Sequence, residues 1–351
     1  MHFRRLLQAS TYYRKSILVA SVPIILLLSV SAIANVTANT ESNAAWKQQM
    51  QFINPPGIGC YTVNYPSTTW IETACSPPPT NMTFEEGGTY NSVLGDSSSA
   101  NVGTAVGGVT SLSGYYSETD TCGVGCGKGS NYYSLQENTN YFATNLDGGT
   151  QAWFQFVWKN TASSGSGTGD VLMELWLNAY YYDNGYCPSG SPGTDINNWQ
   201  VVDDGPGGIG YDCTALTWQS ATLEEDPANL ASITLEGTVY GGTDTTAEFC
   251  DTTSCQSMSV SDILGLHGNW EDIDWNVYGY GGGTQAAFYG YGTSGTDMTI
   301  RVDTWDTSGN QLSPGDYVAA PYTGESNNLN YYGESTGTGY YQFLSCETTP
   351  C

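Results

Sequence analysis

The sequence predicts an all-β sandwich. Three observations carry that expectation: helix-period patterning is scarce, runs rich in Val, Tyr, Trp and Phe alternate as strands do, and Gly, Ser and Thr clusters separate them at turn spacing. In order, segments 102–109, 111–117, 132–135, 140–144, 152–159, 171–182, 233–240, 272–278, 285–289 and 298–304 read as strands. Only the apolar leader and a short turn over 261–266 read as helical. In Trp153-Phe154-Gln155-Phe156-Val157-Trp158, one face carries Trp153, Gln155 and Val157 and the other Phe154, Phe156 and Trp158. Both faces are largely apolar, which places this strand between two layers. Gln155 is the residue out of pattern.

The remaining segments read as extensions. Arg4, Arg5, Arg14 and Lys15 precede an apolar run over 17–33, and Ala32-Ile33-Ala34 offers a cleavage site, so 1–34 reads as an export signal. An uncleaved signal anchor through 17–33 is the alternative, and the expected location is secreted, outside the cell. Residues 35–99, with Pro55-Pro56, Pro66 and Pro77-Pro78-Pro79, read as a loop-rich N-terminal extension. Residues 100–330 form the expected sandwich domain and 331–351 a disulfide-tied tail. Segment 185–230 reads as a long loop excursion closed by Cys187 and Cys213.

Ten cysteines, all beyond the leader, read as a disulfide framework in an exported chain. Their clustering suggests Cys60–Cys75, Cys122–Cys126, Cys187–Cys213, Cys250–Cys255 and Cys346–Cys351. No metal is expected, because no histidine lies near the closely spaced cysteines.

Charge narrows the partners. The chain has 34 acidic and 8 basic residues. Four of the bases precede residue 16 and no acid precedes Glu41, so the part after the leader carries about −30. Such a field repels nucleic acid and anionic membrane surfaces, so neither is expected as a partner. A chain with few cations gains little positive charge when its carboxylates protonate near pH 4, and so escapes the self-repulsion behind acid unfolding. An acidic medium is the expectation.

Histidine is nearly absent, His2 in the leader and His267 beside Gly265 and Gly268, and neither H-E-x-x-H nor G-x-S-x-G occurs. Bridged cysteines leave no thiol nucleophile, and Gly165-Ser166-Gly167-Thr168-Gly169 has no helix after it to cradle phosphate. Carboxylate and carboxamide chemistry remains, and no cofactor is expected. Besides Gln155, Glu174 shares a strand face with Leu172 and Trp176, while Asp272, Asp274 and Asn276 alternate with Ile273, Trp275 and Val277. A carboxylate set among apolar neighbours is costly unless paired, protonated or employed. As bland readings, Glu174 faces solvent and Asp272 is an edge charge that discourages sheet pairing.

The order Trp153-Phe154-Gln155-Phe156-Val157, Glu174-Leu175-Trp176, Ile233-Thr234-Leu235, then Asp274-Trp275-Asn276-Val277 through Gly281-Gly282-Gly283 to Ala287-Phe288 resembles the glutamic peptidases of the eqolisin family. Over roughly 100–305 the similarity is one of pattern and order, shared in scheme with neprosin-type proteins and with exported bacterial proteins of unassigned role. The resemblance implies a concanavalin-like jelly-roll sandwich, acid-active endopeptidase chemistry and a polypeptide substrate, with a monomer expected. It places Gln155 as oxyanion donor and Asp274 as the carboxylate that activates water. Glu174, with Asp272, Trp153 and Trp176, falls among substrate-binding residues. The chain departs from the family in carrying aspartate, one methylene shorter, where the glutamate stands. Two other readings stay open: a non-catalytic surface or matrix protein on the same scaffold, and a glycan-binding or glycan-hydrolysing jelly roll served by the many Trp and Tyr rings.

Overall fold

The computed structural model describes residues 42–75, 94–95, 102–113, 119–121, 132–147, 149–161, 169–190, 198–203, 211–220, 227–240, 244–251, 253–270, 273–278, 285–288, 297–306, 311, 326–327, 329–337 and 340–346. The chain divides into two compact units, Met1–Gln49 and Met50–Cys351. The leader lies outside the described residues, and no described helix is long and apolar enough to cross a membrane.

A helix α1 over 42–50 is followed by strands. They are β1 (Gly59–Asn64), β2 (Ile71–Thr73), β3 (Leu94–Gly95), β4 (Val102–Ser113), β5 (Thr119–Thr121), β6 (Tyr132–Thr139) and β7 (Phe142–Ala143). After β8 (Gln151–Thr161) and β9 (Gly169–Asn178) comes a single helical turn, α2 (Tyr180–Asn184). The chain continues through β10 (Gln200–Asp203), β11 (Tyr211–Ser220), β12 (Thr234–Tyr240), β13 (Asp244–Cys250), β14 (Ser254–Ser261) and β15 (Ile273–Tyr278). It ends with β16 (Gln285–Phe288), β17 (Asp297–Asp306), β18 (Ser326–Asn327), β19 (Asn330–Gly337) and β20 (Tyr340–Cys346).

Two large antiparallel sheets make the sandwich. One runs β19-β20-β17-β4-β12-β13-β14-β1-β2; the other runs β10-β11-β9-β8-β6-β15-β3, with β7 on β8. A small third sheet has the order β18-β16-β5. The β8 pattern explains the packing. Phe154, Phe156 and Trp158 are fully buried and meet the other sheet, where Trp158 stacks on Phe249 of β13 at 4.7 Å between ring centroids. Each such buried aromatic contributes roughly 1.5–3 kcal/mol.

Several sequence expectations need correction. The extension expected to be loops supplies β1 and β2, and the tail after 331 supplies most of β19 and all of β20, so both ends of the nine-stranded sheet come from these segments. Cross-strand pairing overrides a local pattern that reads as loop. The expected strands at 102–109 and 111–117 join as far as Ser113 in the single strand β4, and 114–117 lie outside the described residues. The expected strand 171–182 stops at Asn178, because Ala179 is left-handed (φ 55°) and gives its backbone N–H to Asp212. The expected excursion 185–230 holds β10 and β11 at the edge of the second sheet, and the expected helical turn at 261–266 is irregular, with Asp262 accepting from the backbone of Leu266 and His267.

Disulfides Cys60–Cys75, Cys187–Cys213 and Cys250–Cys255 form as expected. Cys346 is also bridged. The pairings Cys122–Cys126 and Cys346–Cys351 involve cysteines 122, 126 and 351, which lie outside the described residues.

The sandwich interior holds a carboxyl group. Glu137 of β6 is 0% exposed; its Oε2 accepts the Gly237 N–H of β12 at 3.0 Å, and its Oε1 has no partner. A Cβ on Gly237 would lie 2.6 Å from Phe156 and 2.9 Å from Glu137 Oε1. Glycine is therefore what lets a strand of one sheet approach the carboxyl of the other. Two more buried glutamates, Glu236 of β12 and Glu248 of β13, stand directly opposite one another. Desolvation raises all three pKa values well above the ordinary range. The Gly237 bond works against this at Glu137 and Thr238 does so at Glu236, while the Glu236 charge adds to the rise at Glu137 and Glu248.

Two predictions follow from this packing. Gly237→Ala should destabilise the fold by about 1–3 kcal/mol through overpacking, read from denaturant midpoints. A raised folded-state pKa means the native state binds more protons than the unfolded chain between the two pKa values, so stability falls as pH rises from about 4 and is fullest below the unfolded pKa. The fold should therefore melt higher at pH 4 than at pH 7, and Glu137→Gln should narrow the gap; a melting temperature that rises toward neutrality would contradict this.

Candidate active site

The outward side of the eight-stranded sheet gathers the polar residues singled out in the sequence. In the ladders, Glu174 of β9 stands opposite Gln155 of β8, Gln155 opposite Asn138 of β6, and Asn138 opposite Asp274 of β15. Directly opposed residues of antiparallel strands share a face, so four polar positions form one row across four strands. Neighbouring strands lie about 4.8 Å apart, so Gln155 and Asp274 stand about 10 Å apart at the backbone, and Glu174 and Asp274 about 14 Å. Gln155 retains 6% exposure, Glu174 7% and Asn138 0%.

Hydrogen bonds orient part of this row. Gln155 donates from Nε2 to Oε1 of Gln136 at 2.6 Å, and Gln136 donates in turn to Ser134 at 2.8 Å. The first bond turns the Gln155 amide nitrogen toward β6 and leaves its second N–H for another acceptor. Trp176 donates its indole N–H to Glu174 at 3.3 Å. One register step away, Trp153 and Trp176 are opposed and stacked at 5.4 Å, both buried, with Tyr141 edge-on to Trp153. Further along the same two strands, buried Lys159 and Asp170 oppose each other, an opposite-charge pair that helps hold the β8–β9 register.

Of the residues expected at the site, Gln155, Glu174, Trp153 and Trp176 are brought together on two strands, and Asp274 joins their row two strands from Gln155. Asp272 lies outside the described residues. Sequence reasoning missed Gln136 and Asn138, because it ended their strand at Leu135. Ser134-Leu135-Gln136-Glu137-Asn138-Thr139 has polar residues on both faces and so hides its period. The usable signal was the aromatic pair Tyr132-Tyr133 leading into that run. Glu248 lies near Cys250 and Cys255, but their disulfide leaves no thiolate to bind a metal.

No protein-family model matches the chain, and no curated protein matches it. Among solved structures it is similar to scytalido-glutamic peptidase with a transition state analog inhibitor, at 12% identity and a TM-score of 0.31. It is similar too to SCP-B, a member of the eqolisin family of peptidases in complex with the tripeptide Ala-Ile-His, at 12% identity and a TM-score of 0.32. Each match covers 74% of this chain and 98% of the other. This likeness assigns no residue a role.

Proposed function

We propose that this chain is an exported, acid-active endopeptidase. Residues 1–34 direct export, and 100–330 carry the site within the sandwich, whose edge strands come from 35–99 and from the tail after 331. The observation that supports the reading is the single row Glu174, Gln155, Asn138, Asp274 on one sheet face. The ionised Asp274 carboxylate takes a proton from water as that water attacks the peptide carbonyl, and then delivers it to the leaving amine. Gln155 donates its free amide N–H to the oxyanion, and Glu174 with Trp153 and Trp176 holds the chain beside the scissile bond. Asp272 belongs to the same substrate-binding set. Neither histidine nor metal enters these steps.

Burial of Gln155, Glu174 and Asn138 favours a second reading, a non-catalytic surface protein on the same scaffold, in which the Gln155–Gln136 bond serves only to satisfy buried amides. The glycan reading has less support: the Glu174 and Asp274 backbones stand about 14 Å apart, whereas glycosidase carboxyls lie about 5–9.5 Å apart.

Purified leader-free protein should digest denatured protein in acid, at about pH 4, and resist pepstatin-type inhibitors, and Gln155→Ala and Asp274→Asn should each lower kcat about 100-fold or more without loss of fold. Undiminished digestion by both variants would remove the assignment, and no digestion by the parent would favour the non-catalytic reading.

A further inference from the structure

Asn138 is the one described member of the row that the folded chain leaves unsatisfied. It is 0% exposed, and neither its Nδ2 nor its Oδ1 has a hydrogen-bond partner, whereas Gln155 is bonded to Gln136 and Glu174 to Trp176. A buried carboxamide without partners destabilises the fold, and leucine would fill a similar volume without that cost. Its place in the ladder is specific: Gln155 stands opposite it on β8 and Asp274 on β15.

We propose that Asn138 is a second catalytic carboxamide, which completes the peptide-cleaving site between the oxyanion donor and the base; this rests on the peptidase reading. Its Nδ2 donates, with Gln155, to the substrate carbonyl oxygen as that atom gains negative charge, and its Oδ1 accepts from the attacking water. The water oxygen bonds to the carbonyl carbon, one water proton passes to the Asp274 carboxylate, and the other stays on the attacking oxygen, held by Asn138. When the tetrahedral species collapses, the C–N bond breaks and Asp274 returns its proton to the amine nitrogen, giving a carboxylic acid and an amine. The folded protein leaves the amide unpaired because its partners arrive with the substrate.

Steady-state cleavage of a fluorogenic peptide between pH 2.5 and 6, with melting curves, tests this on the leader-free chain. Asn138→Leu should melt no lower than the parent yet lose about 100-fold or more in kcat, with KM changed less than about threefold. Asn138→Asp should keep activity only where its new carboxyl is protonated and can still donate, so its pH profile should fall at lower pH than the parent's. Parent-like kcat in Asn138→Leu, beside an inactive Gln155→Ala, overturns the role of Asn138 and leaves the peptidase reading standing. Should the leucine variant not fold, an Asn138→Asp profile superimposable on the parent's overturns it equally. A parent chain that cleaves nothing removes the peptidase reading and this role together.

Discussion

Register across β9, β8, β6 and β15 is the constraint on which the rest of the site depends. Side chains alternate with period two, so a slip of one residue in β8 would carry Gln155 into the interior and Phe154 or Phe156 out of it. The inward aromatics prevent that slip. Phe156 packs where Gly237 leaves room, and Trp158 lies flat on Phe249, so the β8 register is fixed from the core side and read out on the other. The polar row is in this sense a consequence of hydrophobic packing one layer below it.

β6 carries the heaviest load. It presents Glu137 to the sandwich interior and Gln136 and Asn138 to the outer face, so it is polar and buried on both sides. Natural strands of this kind are uncommon because each unmet group costs stability. Here the inner group is partly met by the Gly237 N–H, and one outer group by Gln155. A strand chosen for stability alone would carry valine or leucine at these positions, which argues that the polar residues persist for chemistry or for acid tolerance.

The fold class was legible because alternation and turn composition are local properties, and β8 could be read nearly to the residue from its aromatics. The Gln155 and Glu174 pair was equally legible, since each breaks an otherwise apolar strand. β11, β13 and β14 were hidden because Thr, Ser, Asp and Cys make up at least half of each, and β1 and β10 because they are short; only pairing with neighbours makes such segments strands. Asn138 could not be found from spacing: its meaning lies in standing opposite Gln155, on a nearby strand of the chain, and Asp274, on a strand more than a hundred residues on. Three disulfide pairings were readable from clustering alone, as short loops between cysteines leave few geometric alternatives.

The acidic composition takes on a sharper meaning beside the buried glutamates. A carboxylate that activates water must be ionised, which calls for a pH near or above the ordinary aspartate value of about 4. Glu137, Glu236 and Glu248 ask for the opposite, since their raised pKa values make the protonated form the one the fold prefers. The two demands overlap only where the ordinary carboxylate has lost its proton and the buried ones have kept theirs, a window whose lower edge lies near the ordinary aspartate value of about 4. Exposed Asp147 pulls the other way: hydrogen bonds from Thr150 and Gly149 outweigh its desolvation and lower its pKa, but solvent screens so open a group, and it weighs little against three buried ones. The scarcity of cations widens the window from below, because protonating the surface leaves little net positive charge to drive the sheets apart. Burial therefore sets Glu137, Glu236 and Glu248, which the fold prefers protonated, against a water-activating carboxylate that must be ionised, and the two requirements meet only above the pH at which an ordinary aspartate loses its proton.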